Sequence, residues 1–123
     1  MKSILIVEDD AGVREGLEAL LNAAGIPHDA AADGCEALEM LMHGPTPGAV
    51  VLDLMMPVMD GFRFLSARKL DRRIAAIPVI VLTAAPEVLF DREDLNVHEI
   101  ILKPCDPEQF VKTLRRYVES AAN

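Results

Sequence analysis

Residues 49–53 read AVVLD, four apolar residues followed by the carboxylate of Asp53. A short, continuously apolar run of this kind is typical of a strand that is buried on both faces of a parallel sheet. Other apolar runs of similar length lie before and after it along the chain. They cover residues 3–7, 27–32, 78–82 and 99–102, of which 27–32 is the weakest pattern. The sequence therefore predicts five strands.

Helical patterns separate these runs. Between the first two runs, Leu17 and Leu21 lie on one helical face and Gly25 supplies a stop. Acidic residues that are placed to cap the N-termini of later helices are Asp33, Asp60 and Asp106. The helix capped by Asp60 is expected to continue to Leu70. Residues 84–96 are the least regular part of the chain, and we expect one short helix there, begun at Pro86.

Strands that alternate with helices predict an α/β fold, because parallel strands need crossover connections that cover the faces of the sheet. We expect a doubly wound, flavodoxin-like sheet of five parallel strands in the order 2-1-3-4-5, with helices on both faces. A length of 123 residues is close to the commonest domain size. One domain is therefore expected over residues 1–123.

Composition narrows the possible functions. The net charge of −8 argues against direct nucleic-acid binding, which needs clustered Lys and Arg. No apolar run is long enough to span a membrane, and the N-terminal run is too short for a signal peptide. Cys35 and Cys105 fit no metal-ligand spacing, and we expect two free thiols in a cytoplasmic protein.

Polar side chains stand at the ends of four predicted strands. Glu8 and Asp9 follow the first strand and Asp53 ends the third, while Thr83 and Lys103 follow the fourth and fifth. The carboxyl ends of parallel strands meet at one edge of the sheet, and ligands bind where the strand order reverses. With the order 2-1-3-4-5 that point lies between strands one and three, so these five side chains are expected to converge.

The chemistry of this set favours phosphoryl transfer. Crowded carboxylates repel one another, and a hard cation such as Mg²⁺, which prefers oxygen ligands, relieves the repulsion. A carboxylate nucleophile such as Asp53 can form an acyl phosphate. Lys103 and Thr83 would then contact the phosphoryl oxygens. Each residue alone has an ordinary structural interpretation, as a helix cap or a solvated charge, but the strand ends together favour one shared site.

Four segments resemble the receiver domains of bacterial two-component response regulators. They read ILIVEDD (4–10), DLMMPVMDG (53–61), VLTA (81–84) and LKP (102–104). The resemblance covers essentially the whole chain, in the family's order. It implies that Glu8, Asp9 and Asp53 bind Mg²⁺, with the backbone carbonyl of Met55 completing the metal site. Asp10 is left as the cap of the first helix.

The resemblance also implies a function. Asp53 would take a phosphoryl group from a phosphohistidine of a histidine kinase or histidine phosphotransfer protein. Thr83 matches the hydroxyl that turns inward on phosphorylation, and Lys103 matches the family's lysine, whose bond to Pro104 is usually cis. The output would pass to a partner protein or a fused output domain. Such a chain is a signalling switch with no turnover reaction, no membrane contact and no direct contact with nucleic acid.

Two features depart from the family. Ile100 stands where the family usually has a switch aromatic, and isoleucine cannot swing a ring in behind Thr83. Thr83 and Lys103 are also separated by slightly fewer residues than in many receivers. Both departures affect the region between strands four and five, so the output surface is expected to be short, mobile or rebuilt.

Two other functions remain to be compared with this one. A phosphohydrolase of the haloacid dehalogenase type would need a second aspartate two residues after the nucleophile, where this chain has Met55. A degenerate receiver would act as a phosphate-independent protein-interaction module, and the altered output region is compatible with that. Phosphorylation by a small phosphodonor in the presence of Mg²⁺ distinguishes a phosphate-accepting receiver from a degenerate one.

Overall fold

A computed structural model of the chain describes residues 1–54, 58–89 and 93–120, without the side chains of residues 58–60 and 120. Its strands are β1 (Ile4–Val7), β2 (His28–Ala31), β3 (Ala49–Asp53), β4 (Val79–Thr83) and β5 (Glu99–Leu102). All neighbouring strands are parallel, and their order is β2-β1-β3-β4-β5. The predicted sheet and its strand order are therefore confirmed.

Helices cover both faces of this sheet. They are α1 (Ala11–Ala23), α2 (Gly34–His43), α3 (Val58–Ala67), the single turn α4 (Arg72–Ala75) and α5 (Pro107–Ser120). On one face, α1 and α5 bury Leu21, Phe110 and Leu114 against the sheet. On the other face, α2 and α3 bury Leu41 and Phe64. The three central strands are buried along their whole length, which explains their continuously apolar sequences.

The helix starts were predicted with mixed success. The side chain of Asp10 accepts the N–H of Val13 at 2.9 Å, and Asp33 accepts the N–H of Glu36 at 2.8 Å, as N-cap residues do. Asp106 accepts a backbone N–H at the start of α5 in the same way. The prediction for Asp60 was wrong, because α3 begins two residues earlier, at Val58.

The end of α3 also differs from the expectation. The α-helix stops at Ala67, and Arg68–Leu70 forms a 3₁₀ turn instead of a last α-helical turn. The short helix α4 follows, capped by Asp71, whose side chain accepts the N–H of Ile74 at 3.1 Å. Ile74 is buried, so this single turn contributes a side chain to the core on the face that α2 and α3 cover.

The connection between β4 and β5 is the segment whose sequence is least regular. In the part of it that the structure describes, the backbone forms two 3₁₀ turns, Pro86–Leu89 and Glu93–Leu95, in place of the expected short helix. Leu89 and Leu95 anchor the two turns in the core. Along β5, Ile100 is 40% exposed and Leu102 is 56% exposed, so this strand presents apolar side chains to solvent.

One close approach of backbone predicts a stability effect. A Cβ atom added at Gly48 would lie 2.7 Å from the carbonyl oxygen of Tyr117 in α5. Gly48→Ala is therefore expected to destabilise the protein by about 1–3 kcal/mol, as overpacking does. Gly16→Ala is the matched control, since nothing lies within 4 Å of its added Cβ, and alanine in a helix is favoured over glycine. Urea denaturation of both variants measures the difference, and equal effects would contradict the prediction.

Candidate functional site

The strand ends meet as the predicted order requires. Asp53 at the end of β3 lies beside Leu82 of β4, and the next residue, Thr83, lies beside Leu102 of β5. The N–H of Lys103 then donates to the carbonyl of Thr83 at 3.0 Å. Backbone pairing thus fixes the positions from which the side chains of Asp53, Thr83 and Lys103 project at one edge of the sheet.

Asp53 and Lys103 form a close ion pair. The Nζ atom of Lys103 lies 2.6 Å from both carboxylate oxygens of Asp53. The Asp53 side chain is 1% exposed, whereas that of Lys103 is 22% exposed and keeps access to water. A buried carboxylate needs a compensating cation, and the lysine supplies one where an incoming phosphoryl group would carry its charge.

Glu8 is the second buried acid of the site. It has no exposed surface, and burial raises the pKa of its carboxyl to about 8, with contributions from the carboxyls of Asp53 and Asp9. Its Oε2 atom accepts the N–H of Asp10 at 3.2 Å. Its Oε1 atom has no hydrogen-bond partner among the residues described. Glu8 is therefore held at the site in an environment that disfavours its charged form.

These residues fit a hard divalent cation in part. An orphaned carboxylate oxygen on Glu8 beside the Asp53 carboxylate is the donor set that Mg²⁺ prefers, and a cation would favour the ionised form of Glu8. Asp9 is exposed, and no three acidic, His or Cys side chains within residues 1–54, 58–89 and 93–120 form a ready metal cluster. Met55, predicted to supply a carbonyl ligand, lies outside the described residues.

Thr83 is placed as expected, with its hydroxyl already engaged. The residue is 4% exposed, and its Oγ1 atom accepts the N–H of Ala85 at 3.0 Å. This contact joins the site directly to the connection between β4 and β5. The peptide bond between Lys103 and Pro104 is cis, as the resemblance implies.

Sequence reasoning missed one contact that shapes the site. The Nη1 atom of Arg14 in α1 donates to the carbonyl oxygen of Glu8 at 2.9 Å. It thereby fixes the turn from which Glu8 and Asp9 extend. The spacing of six residues between Glu8 and Arg14 hints at such a reach from the first helical turn, but a backbone carbonyl leaves no mark in a sequence.

A parallel five-stranded sheet with a buried aspartate–lysine pair at its carboxyl edge defines a class of protein. Residues 4–115 match the family model described as the response regulator receiver domain, and the chain belongs to that family. Receiver domains are signalling domains of two-component systems, in which aspartate phosphorylation and Mg²⁺ binding are general. The recognition made from the sequence motifs is confirmed.

Individual relatives support this assignment. The chain is 36% identical over 117 residues to the response regulator Rre1 of Synechocystis sp., covering 92% of this chain and 50% of the relative. It is 34% identical over 128 residues to the probable transcriptional regulator ycf27 of Porphyridium aerugineum, covering 99% and 51% respectively. The chain thus spans about half the length of these relatives.

Solved structures agree with the fold. The chemotaxis protein CheY4 of Vibrio cholerae superposes with a TM-score of 0.82 at 31% identity, over 95% of this chain and 98% of that one. The receiver domain of the sensor histidine kinase PA1611 of Pseudomonas aeruginosa gives a TM-score of 0.81 at 26% identity, over 96% and 98%. That structure holds a magnesium ion in its active-site cleft.

The free cysteines agree with the sequence interpretation, since neither Cys35 nor Cys105 forms a disulfide. Among the helices that the structure describes, none is both long enough and apolar enough to cross a bilayer.

Proposed function

We propose that Asp53 is the phosphoacceptor of a two-component phosphorelay, taking a phosphoryl group from a phosphohistidine of a histidine kinase or histidine phosphotransfer protein. The observation that carries the proposal is the buried Asp53 carboxylate held 2.6 Å from the ammonium group of Lys103. A carboxylate paired with a cation, at the edge where parallel strands end, is a nucleophile placed to meet an anionic substrate. The proposed setting is one receiver domain in the cytoplasm.

The chemistry divides among the side chains. A carboxylate oxygen of Asp53 attacks phosphorus, the phosphorus–nitrogen bond to histidine breaks, and its electron pair returns to the imidazole, which takes up a proton. The Lys103 ammonium group pairs with the Asp53 carboxylate before the transfer and with the phosphoryl oxygens after it. The Thr83 hydroxyl donates to one of these oxygens. Glu8, Asp9, Asp53 and the Met55 carbonyl would hold Mg²⁺, which neutralises the phosphoryl charge when bound.

The response to phosphorylation is proposed to begin at Thr83. Its Oγ1 atom points to the N–H of Ala85, so turning the hydroxyl towards the phosphoryl group removes a hydrogen bond from the first residues of the β4–β5 connection. Ile100 offers no ring to follow that movement. The signal would pass to a separate partner or to a fused output domain. A fused domain is compatible with the relative that is named as a probable transcriptional regulator, about half of which this chain covers.

A phosphate-independent interaction module is the second candidate. The exposed Ile100 and the absence of an α-helix from the described residues of the β4–β5 connection favour it. The intact set of Glu8, Asp53 and Lys103 favours phosphorylation instead, because a buried ion pair and a buried acid destabilise a protein that has no use for them. A turnover phosphohydrolase is disfavoured by methionine at position 55.

The decisive experiment is incubation with acetyl phosphate, followed by mass spectrometry of the intact protein. We expect the mass of one phosphoryl group to be gained with Mg²⁺ present, and the gain to be lost with a chelator or in Asp53→Asn. Asp29→Asn is the matched control, since Asp29 is an exposed acid on β2 and should not affect the gain. Failure of the folded wild-type protein to gain mass would favour the phosphate-independent module.

A further inference from the structure

Arg68 is a buried cation that neither the sequence motifs nor the proposed chemistry explain. It lies just after α3 and is 2% exposed. Its Nη2 atom donates to the carbonyl oxygens of Leu95 at 2.6 Å and Asn96 at 2.9 Å, and its Nη1 atom donates to that of Ala75 at 3.3 Å. Burying a guanidinium is costly, so these carbonyl contacts must offset a large loss of hydration.

Lys69 extends the same pattern. Its Nζ atom donates to the carbonyl oxygen of Asp94. Two consecutive cations therefore hold three consecutive carbonyls, those of residues 94–96, and we call this set of contacts the carbonyl clamp. The carbonyls lie at the end of the 3₁₀ turn Glu93–Leu95, where a cation interacts favourably with the unpaired acceptors. Asn96 ends the turn with a φ of 53°, and its N–H donates to Glu93.

The backbone beyond the clamp is held as well. The N–H of His98 donates to the carbonyl of Val79 at 2.9 Å, which fastens the entry of β5 to β4. The opposite end of the β4–β5 connection depends on the Thr83 hydroxyl and its contact with Ala85. The two ends are therefore held by different groups, and the near end alone uses a side chain of the proposed phosphorylation site.

We propose that the carbonyl clamp confines the conformational response to the near end of this connection, residues 84–89, and keeps residues 93–98 in one conformation in both signalling states. The inference rests on the proposed function, because it describes what phosphorylation of Asp53 moves. Arg68 and Lys69 are positioning residues that act on the backbone and touch no reacting atom. The surface that changes then includes the exposed side chains of Glu87 and Val88.

Ile100 gains a physical explanation from this arrangement. If phosphorylation moved β5, the side chain at position 100 would have to change its position. If the clamp holds the start of β5 in place, that side chain can stay where it is. Isoleucine, stiff at χ1, suits a strand that stays fixed.

Amide hydrogen exchange with and without Mg²⁺ and beryllofluoride, a stable substitute for the phosphoryl group, tests the clamp. In the wild-type protein we expect the exchange of residues 84–89 to change on beryllofluoride binding, and the amides of Asn96 and His98 to stay unchanged. In Arg68→Met, those two amides should exchange roughly tenfold faster in the beryllofluoride state than in the free state, the size expected for losing a charged hydrogen bond.

The controls separate a clamp from general support of the fold. Arg63→Met removes an exposed cation from α3 and should behave as the wild type does. Lys69→Met removes the exposed half of the clamp and should give a smaller response of the same kind, which decides the matter even if Arg68→Met does not fold. Equal acceleration of Asn96 and His98 exchange in both states would mean that Arg68 has a structural role alone, and would overturn the proposal.

Fluorine NMR distinguishes the possible failures. If Arg68→Met binds beryllofluoride and the exchange of its Asn96 and His98 amides stays unchanged, as in the wild type, the clamp is overturned and the proposed function stands. A folded protein that binds no beryllofluoride would overturn the proposed function, and the clamp with it.

Discussion

Lys103→Met is expected to lower the free energy of unfolding of the metal-free protein by about 3 kcal/mol near neutral pH. The substitution leaves the Asp53 carboxylate, 1% exposed, without the ammonium group that lies 2.6 Å from both its oxygens. The neighbouring Glu8 is also fully buried and offers no compensating positive charge. The expected loss is at the low end of the range for breaking buried pairs because the Lys103 side chain is itself 22% exposed.

A double-mutant cycle assigns this loss to the ion pair. Asp53→Asn removes the buried charge, so the pair of substitutions Asp53→Asn and Lys103→Met should be clearly more stable than Lys103→Met alone. Lys112→Met, at an exposed position of α5, is the matched control and should change little. Urea denaturation with a chelator present measures all four variants. Strict additivity of the two single effects would show that the Asp53–Lys103 pair is not what the lysine stabilises.

The sheet and the location of the site could be predicted because both leave marks in side chains. Strands buried on two faces must be continuously apolar, as residues 49–52 are, and the first polar residue after such a run marks the edge of the sheet. Asp53 and Lys103 were therefore found before any geometry was known. Asp9 was predicted at the site from its position after the first strand, and the structure shows it exposed. The Met55 carbonyl was expected from the resemblance alone, because a backbone group leaves no mark in a sequence.

The sequence did not reveal which backbone carbonyls accept hydrogen bonds from buried side chains, or where α3 begins. Arg68 looks like one cation in a basic stretch of residues 68–73, and nothing in its side chain indicates that its partners are carbonyls of residues 75, 95 and 96. Asp60 has the residue type of a cap, yet α3 begins before it.

Glu8→Gln is expected to stabilise the metal-free protein by roughly 3–5 kcal/mol above pH 8 and to weaken its response to Mg²⁺. Burial raises the pKa of Glu8 from 4.5 to about 8, so the folded protein takes up a proton that the unfolded chain would release. Stability from this group is complete below pH 4.5 and is lost as the pH rises through 8. Glutamine cannot ionise, so the advantage of the variant grows across that window.

The same substitution should also reduce the stabilisation that Mg²⁺ gives to the folded protein. A cation that binds the folded state stabilises it in proportion to the logarithm of its concentration over the dissociation constant. Mg²⁺ favours the ionised form of Glu8, whose Oε1 atom has no hydrogen-bond partner among the described residues, and a neutral amide is a weaker ligand. We expect the Mg²⁺-dependent shift of the urea midpoint to fall at least severalfold in Glu8→Gln.

Denaturation curves at pH 6 and pH 8.5, each with chelator and with Mg²⁺, separate these two effects. Glu15→Gln, an exposed acid on α1, is the matched control and should follow the wild type in all four conditions. A variant that is no more stable than the wild type at pH 8.5 would mean that Glu8 ionises without penalty. An unchanged Mg²⁺ shift would mean that the cation is held by other residues. A gain in stability paired with a loss of Mg²⁺ response would instead mark Glu8 as a residue kept for binding at a cost to the fold.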